Sequence, residues 1–271
     1  MTTTLAVANQ KGGVAKTTSV ASIGAALAEL GHRVLLVDLD PQACLTFSLG
    51  IDPEDLDVSV HHVLTKGLEP GEAIVGTEDG IDLLPATIEL ARAEADLLTR
   101  TGREHVIKGA LEQLDERLEE PYDWVLLDCP PSLGVLTVAA LTAADGVLIP
   151  LQCETLSHRG VGQLLDTVHD VRRFTNRGLD VWGVLPTLYD GRTNHARTVL
   201  ETISETYDLE VVGPPIPKTI KFAEAPAAGR SILATSRSSK GAQAYREVAA
   251  NLVLRSQRPK ARGSRKRSPQ V

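Results

Sequence analysis

A glycine-rich segment near the start of the chain constrains its fold more than any other feature. Residues 10–18 read Gln-Lys-Gly-Gly-Val-Ala-Lys-Thr-Thr, directly after the apolar run 5–8 and directly before a helical pattern. When a strand turns into a helix in this way, successive backbone N–H groups and the positive end of the helix dipole meet at one point. The segment therefore predicts an α/β protein with a phosphate-binding loop at one edge of its sheet.

Two lysines and a threonine give this loop its chemistry. Lys16 lies where the lysine of such a loop reaches the β- and γ-phosphates, and Thr17 offers a hydroxyl to Mg²⁺. The second lysine, Lys11, stands at the start of the loop and is predicted to point elsewhere. Ala15 replaces a glycine of the usual pattern, which costs about 1 kcal/mol if its φ is positive, and we expect nucleotide use to be retained. The alternative is a glycine-rich turn in an unrelated α/β protein.

Composition favours one large domain in a reducing compartment. The chain has 271 residues with 42% hydrophobic content, enough for a buried parallel sheet. It contains no run of 18 apolar residues, and its first strand begins too early to leave room for a signal peptide. Its three cysteines are scattered, which argues against structural disulfides or a metal site and predicts a cytoplasmic protein.

Buried-strand runs alternate with helical patterns along the chain, which predicts a doubly wound, mostly parallel α/β sheet flanked by helices in a single domain over 1–254. The predicted strands are Leu5–Asn9, Arg33–Asp38, Ile81–Leu84, Trp124–Asp128, Gly146–Leu151 and Asp180–Pro186. The predicted helices are Lys16–Leu30, Glu104–Glu119, Leu133–Ala144, Thr155–Thr175, Thr193–Tyr207 and Lys240–Leu254. Residues 52–80 have weak periodicity and are predicted to form surface helix and loop.

Carboxylates follow two of the predicted strands. Asp38 and Asp40 end the second strand, and alternation places them on the same side, facing the phosphate site. Asp128 ends another apolar strand, where a carboxylate holds Mg²⁺ through water. Helix capping is the alternative role for Asp38 and Asp40, but the nearby loop favours catalysis.

These segments together resemble the ParA/Soj family within the ParA/MinD branch of ATPases. That branch has the deviant Walker A box Lys-Gly-Gly-Val-Gly-Lys-Thr-Thr, from which only Ala15 departs here. The run Asp-Cys-Pro-Pro-Ser at 128–132, the stretch Asp-Gly-Arg-Thr-Asn at 190–194 and the proline-rich segment 214–230 also resemble family motifs. The resemblance extends from about residue 5 to 254.

The resemblance implies a role for each site residue. ATP would be held by the loop residues Gly12, Gly13, Val14, Ala15, Lys16, Thr17 and Thr18, with Pro217 and Thr219 beside the adenine. Mg²⁺ would be held by Thr17, Asp38 and Asp128. Asp40 would orient or activate the attacking water, and Lys11 would reach the nucleotide of a partner subunit in an ATP-dependent homodimer.

Partners also follow from the resemblance. Arg192 and Lys221, with Lys218 a weaker third, would contact DNA without sequence preference in the ATP state, although spacing alone makes them ordinary surface cations. A ParB/Spo0J-like centromere-binding protein would stimulate slow ATP hydrolysis in chromosome or plasmid partitioning. The protein would then be cytoplasmic and nucleoid-associated when it holds ATP.

Several alternatives stay open at this stage. An orphan relative would position protein cargo, a MinD-type relative would bind a membrane, and an enzyme of the dethiobiotin synthetase type would phosphorylate a small molecule. No amphipathic anchor ends the chain, which argues against membrane binding. Residues 255–271 contain seven basic and no acidic residues, within a chain of net charge −7. This tail is predicted to be disordered, and it either meets polyanions or merely aids solubility.

Overall fold

The computed structural model describes residues 2–154 and 157–258. One seven-stranded sheet has the order β3-β4-β2-β5-β1-β6-β7, and all of its pairings are parallel except that of β3 with β4. The strands are β1 (Thr3–Val7), β2 (Val34–Asp38), β3 (Val75–Gly76), β4 (Asp82–Leu84), β5 (Trp124–Asp128), β6 (Gly146–Gln152) and β7 (Asp180–Thr187). The predicted doubly wound α/β sheet is confirmed.

Helices cover both faces of this sheet. They are α1 (Lys16–Glu29), α2 (Cys44–Ser48), α3 (Val60–Lys66), α4 (Pro70–Ala73), α5 (Leu90–Leu98), α6 (Val106–Arg117), α7 (Val135–Ala143), α8 (Ser157–Phe174), α9 (Asn194–Tyr207), α10 (Lys221–Glu224), α11 (Ile232–Thr235) and α12 (Lys240–Ser256). Helices α1 and α12 pack together on one face, whereas α6, α7 and α8 contribute to the core on the other. The strands are almost wholly buried because apolar side chains project from both of their faces.

The pairing of three strands positions the site. Asp128 is in register with Val7 on one side and with Asp38 on the other. Because parallel strands end at the same edge of a sheet, the phosphate-binding loop after β1 lies next to Asp128, and Asp38 lies one strand further along the same edge.

The prediction for residues 52–80 is wrong in part. Helix α3 within this segment belongs to the core, with Val60, His61, Val63 and Leu64 buried. The two adjacent histidines of this seven-residue helix obscure its apolar periodicity in the sequence. Its side chains are buried because the helix packs against α5 and α6.

The last helix extends past the predicted domain boundary at 254. Helix α12 ends at Ser256, and the Arg255 guanidinium contacts the carboxylates of Asp180 and Glu210. Residues 259–271 lie outside the described part of the chain, so the disordered tail stays a prediction.

Candidate functional site

The glycine-rich loop enters α1 through a left-handed turn. Gly13 has φ 73°, and Ala15, the residue before the helix, has φ 61° and ψ 36°. This conformation costs a residue with a side chain about 1 kcal/mol, and glycine would avoid the cost. The loop therefore keeps the left-handed backbone of a glycine at a position occupied by alanine.

The Lys16 side chain lies inside the site. The residue is only 7% exposed, and its Nζ lies 3.4 Å from the carbonyl oxygen of Lys11. Burial lowers the pKa of Lys16, while the negative charge of Asp128 opposes that effect. A bound anion would raise this pKa again, so the lysine is prepared for a negatively charged ligand.

Asp128 is the least satisfied polar group of the site. It is 1% exposed, and neither carboxylate oxygen has a hydrogen-bond partner of good geometry among the described residues. Burial raises the pKa of Asp128 well above its usual value, with a further contribution from Asp38, and the nearby Thr17 hydroxyl lowers it in part. An ionised carboxylate in this position requires a cation.

Asp38 holds the segment after β2 in place. One of its oxygens accepts hydrogen bonds from the backbone N–H and the hydroxyl of Thr46, at 2.9 and 2.8 Å. The other accepts from the N–H of Asp40 at 3.1 Å. Burial raises the pKa of Asp38 to about 6 despite these bonds. Asp40 itself is half-buried, and its carboxylate accepts from the N–H of Gln42 at 3.0 Å.

The Lys11 side chain pairs with a carboxylate next to the end of the neighbouring strand β6. Its Nζ lies 2.5 Å from a carboxylate oxygen of Glu154, just beyond the end of β6. Asn9 also holds the start of the loop against β6. Its side-chain amide donates to the carbonyl of Pro150, and its side-chain oxygen accepts from the N–H of Lys11. Both contacts tie the start of the loop to the end of β6.

The predicted adenine-binding segment lies beside the loop. The buried Thr187 hydroxyl, at the end of β7, donates to the carbonyl of Val14 at 2.9 Å. Two residues later, Tyr189 forms an isolated parallel bridge with Pro217. Through these contacts, the end of β7 and the residues after it connect Pro217 to the phosphate-binding loop. Thr219 lies two residues further along the chain.

The same bridge brings the predicted DNA-contacting residues to one region. Arg192 lies three residues after Tyr189, and Lys218 directly follows Pro217. Both of these cations and the nearby Lys221 are exposed. The ammonium of Lys221 lies 2.7 Å from Glu224, so its charge is partly compensated within α10.

The residues present fit a magnesium ion. Mg²⁺ prefers oxygen ligands and keeps several waters, so a carboxylate, a hydroxyl and phosphate oxygens suffice. The unpaired oxygens of Asp128 and the neighbouring Thr17 hydroxyl supply such ligands. Within 2–154 and 157–258 there is no cluster of three or more His, Cys, Asp or Glu side chains able to hold a metal.

Sequence reasoning found the loop and the carboxylates but missed the groups that orient them. The groups that were missed are Asn9, Glu154 and Thr187, which lie at or just beyond the end of a strand, and Thr46, which lies in the short helix after β2. Polar residues that follow buried strands at one sheet edge were the available signal.

Comparison with known proteins gives consistent matches over the chain. The family model for an AAA domain matches residues 2–181. The sporulation initiation inhibitor protein Soj of Bacillus subtilis is 42% identical over 91% of this chain and 98% of its own length. The chromosome partitioning protein ParA of Caulobacter vibrioides is 40% identical over 93% of this chain and 94% of its own length.

A solved structure from Mycobacterium smegmatis is similar over almost the whole chain. It is described as cobyrinic acid a,c-diamide synthase with bound ADP and magnesium. The two chains are 57% identical, with a TM-score of 0.84 and coverage of 95% and 97%. No helix in the described residues is both long and apolar enough to cross a membrane.

Proposed function

The chain belongs to the ParA/Soj family of P-loop ATPases, and from this premise we propose that it is an ATP-switched dimer that binds DNA in chromosome or plasmid partitioning. The observation that carries the proposal is that the two lysines of the loop differ in their burial and in their partners. Lys16 is buried beside Asp128, whereas Lys11 pairs with Glu154 in a partly exposed ion pair.

ATP and Mg²⁺ are the proposed ligands of the loop. The amides of residues 12–18 and the Lys16 ammonium bind the phosphates, while Thr17 and Asp128 hold the metal and Asp38 supports them. A magnesium ion held there would offset the negative charge of the phosphates. The structure from Mycobacterium smegmatis contains ADP and magnesium, which supports this assignment.

Asp40 is the proposed group that positions the attacking water. Asp38 and Gln42 fix the backbone around it, but its own carboxylate is half-exposed. Water is therefore incompletely excluded in the single subunit, and hydrolysis is expected to be slow until a partner completes the site.

We propose that, when two subunits associate, the Lys11 ammonium leaves Glu154 and binds the triphosphate held by the partner subunit. The Lys11–Glu154 pair is partly exposed, at 33% and 52% for the two side chains. An exposed ion pair of this kind is worth roughly 0–1 kcal/mol, so the ammonium leaves it at little cost. The triphosphate bound to a partner subunit is a more highly charged acceptor, which links subunit association to the γ-phosphate.

DNA binding follows from the pairing of two such surfaces. Arg192, Lys218 and Lys221 from each subunit would double the number of phosphate contacts in the dimer. Sequence-independent affinity rises with that number and falls with salt, so tight binding is confined to the ATP state. A ParB/Spo0J-like partner would then accelerate hydrolysis, and the ATP form would associate with the nucleoid.

Amide synthesis is a second candidate because of the name of the Mycobacterium smegmatis structure. A glutamine-dependent synthase needs a nucleophile that releases ammonia, commonly an activated thiolate. All three thiols here have raised pKa values, largely through burial, to about 11 for Cys153 and further for Cys129. The thiols do not favour this alternative, and the experiment below separates the two functions.

The test is binding to non-specific duplex DNA with ATP and Mg²⁺ at two salt concentrations. We expect Lys16→Ala and Arg192→Glu to abolish binding, with only Arg192→Glu retaining the ATP dimer. Arg177→Glu is the matched control, since it reverses an exposed charge outside the proposed surface. Binding that ignores nucleotide contradicts the switch, and ATP consumption that requires glutamine and a carboxylic acid supports the second candidate instead.

A further inference from the structure

A buried threonine at the end of β7 contacts the backbone of the phosphate-binding loop. The hydroxyl of Thr187 donates to the carbonyl oxygen of Val14 at 2.9 Å, across 173 positions of sequence. Both residues are buried, so this hydrogen bond is shielded from competing water. It therefore joins the loop to a strand at the edge of the sheet.

Thr187 is itself held on both sides of β7. On one side, it is in register with Gln152 of β6. On the other side, the carbonyl of Pro186 accepts from the N–H of Ile216 at 2.8 Å, and the N–H of Tyr189 donates to the Ile216 carbonyl at 2.9 Å. A hydroxyl on a backbone held in this way is a fixed donor, so its acceptor in the loop is fixed as well.

The carbonyl that Thr187 holds belongs to the peptide unit between Val14 and Ala15. A peptide unit is planar and trans, so this carbonyl and the Ala15 N–H turn together and point in opposite directions. Turning the unit over would change the φ of Ala15 while hardly moving the two flanking Cα atoms. Burial of the Val14 side chain alone does not prevent that rotation, whereas the hydrogen bond from Thr187 does.

Ala15 needs such a constraint because its backbone is strained. Its φ of 61° and ψ of 36° are left-handed, a conformation that is unfavourable for any residue with a Cβ. Leu188, directly after the threonine, is also left-handed, with φ 49°. Strained residues persist only where the surrounding structure holds them. The hydrogen bond between Thr187 and Val14 joins the residues that directly precede these two.

We propose that Thr187 is a positioning residue for the nucleotide and acts on it through the loop backbone. Its hydroxyl keeps the Ala15 N–H directed at the phosphates, and it thereby compensates for alanine at a position that favours glycine. Within residues 2–154 and 157–258 this N–H donates to no protein group, so it is available to an anion. The inference rests on the proposed function, because it requires that the loop binds a nucleotide.

The backbone preference of alanine sets the size of the expected effect. Alanine favours the right-handed conformation over the left-handed one about fivefold, whereas glycine adopts both about equally. Without the hydroxyl, a loop with alanine would be in its binding conformation in about one molecule in six, and a loop with glycine in about one in two. The apparent Kd for the nucleotide rises in inverse proportion to that fraction.

The test is isothermal titration calorimetry of the full chain with Mg²⁺ and ADP, which has no γ-phosphate to drive subunit association. Thr187→Val replaces the hydroxyl with a methyl group of similar size, and we expect the Kd for ADP to rise about sixfold. Thr187→Ser keeps the hydroxyl and should bind ADP within about twofold of the unmodified protein.

A second substitution distinguishes an effect on the loop from a general loss of stability. Ala15→Gly removes the strain that the hydrogen bond counteracts, and on its own it should bind ADP at least as tightly as the unmodified protein. When Thr187→Val is combined with Ala15→Gly, the rise in Kd should shrink to about twofold. Such coupling between the two positions is not expected of a hydroxyl that only stabilises the core.

Thr142→Val is the matched control. Thr142 is a buried threonine of α7 whose hydroxyl donates to the carbonyl of Val138 at 2.8 Å and lies 2.9 Å from the hydroxyl of Thr175. Its loss should lower the free energy of unfolding, as the loss of a buried hydrogen bond does, and leave the Kd for ADP unchanged. Urea unfolding without nucleotide shows which variants are folded under the conditions of the titration.

Three results would overturn the inference. These are an unchanged Kd in Thr187→Val, a Thr187→Ser variant that binds as weakly as Thr187→Val, and an equal effect of Thr187→Val with and without Ala15→Gly. If Thr187→Val does not fold, Thr187→Ala replaces it, and failure of both to fold would show that the hydroxyl serves the fold and not the loop. If the unmodified protein binds ADP, each of these results removes only this inference. If it does not bind ADP, the proposed function fails as well.

Discussion

At the scale of single residues, burial makes the Asp128 carboxylate costly to ionise, and the charge of Lys16 offsets that cost only in part. Asp128 is 1% exposed and without a well-formed hydrogen bond in the described part of the chain. Its pKa is raised by burial and by Asp38, whose own pKa is raised to about 6. Asp128 therefore binds a proton more tightly in the folded protein than in the unfolded chain. For this reason its contribution to stability falls as the pH rises above about 4, the pKa of an aspartate in the unfolded chain.

Asp128→Asn should therefore stabilise the protein in the absence of nucleotide and magnesium. We expect a gain of at least about 1 kcal/mol in the free energy of unfolding at pH 8, because a buried charge has been removed. The gain should vanish below about pH 4, where both forms are neutral. Urea unfolding across this pH range checks the prediction, and the variant should gain less stability than the unmodified protein from added Mg-ATP. A less stable variant at pH 8 would contradict it.

Motifs predict residues whose chemistry depends little on the rest of the fold. Lys16, Thr17 and Asp128 were predicted from their positions next to a glycine-rich turn or at the end of a strand. Glu154 was missed because its importance depends on Lys11, 143 positions away in the sequence, and only the adjacency of β1 and β6 brings them together. The spacing of residues in a sequence does not give that adjacency.

At the scale of elements, one threonine joins three of them. The Thr46 hydroxyl, in α2, donates to Asp38 at the end of β2 and accepts from the N–H of Ala86 at 3.0 Å. Ala86 belongs to the segment that leads into α5. The position of the Asp40 loop therefore depends on hydrogen bonds buried between these elements.

Thr46→Val should destabilise the fold by about 2–4 kcal/mol, because the buried Asp38 oxygen and the Ala86 N–H each lose a partner. Thr65→Val is the matched control, since that hydroxyl donates to the carbonyl of His61 at 2.8 Å and lies 3.5 Å from the Nε2 of the same residue, both within its own helix, and its loss should cost under about 1 kcal/mol. Urea unfolding followed by the fluorescence of the buried Trp124 and Trp182 measures both. Equal losses in the two variants would show that the buried network contributes nothing.

Most long, strongly periodic elements were predicted, whereas the short helices were not. Helix α1 and strand β5 match their predicted bounds within one residue. The helices α2, α4, α10 and α11 have only four or five residues, which is too short for a helical period to show. Helix α5 was also missed, and its burial comes from packing against α3 and α7.

At the scale of the whole molecule, the proposed function concerns two copies of the chain. The single subunit leaves Asp40 partly exposed and engages Lys11 with Glu154. Both features are expected to change when a second subunit covers the nucleotide. In the proposed function, a cation contributed across the interface would make association depend on the γ-phosphate.

Sedimentation velocity of the unmodified protein and Lys11→Ala, each with Mg²⁺ and a non-hydrolysable ATP analogue or ADP, tests this claim most directly. We predict a dimer only for the unmodified protein with the ATP analogue. Lys11→Ala should bind the analogue with similar affinity and remain a monomer, because Lys16 and the loop amides hold the nucleotide within one subunit. An unmodified protein that stays monomeric with saturating analogue, or a Lys11→Ala variant that dimerises equally well, would contradict the account.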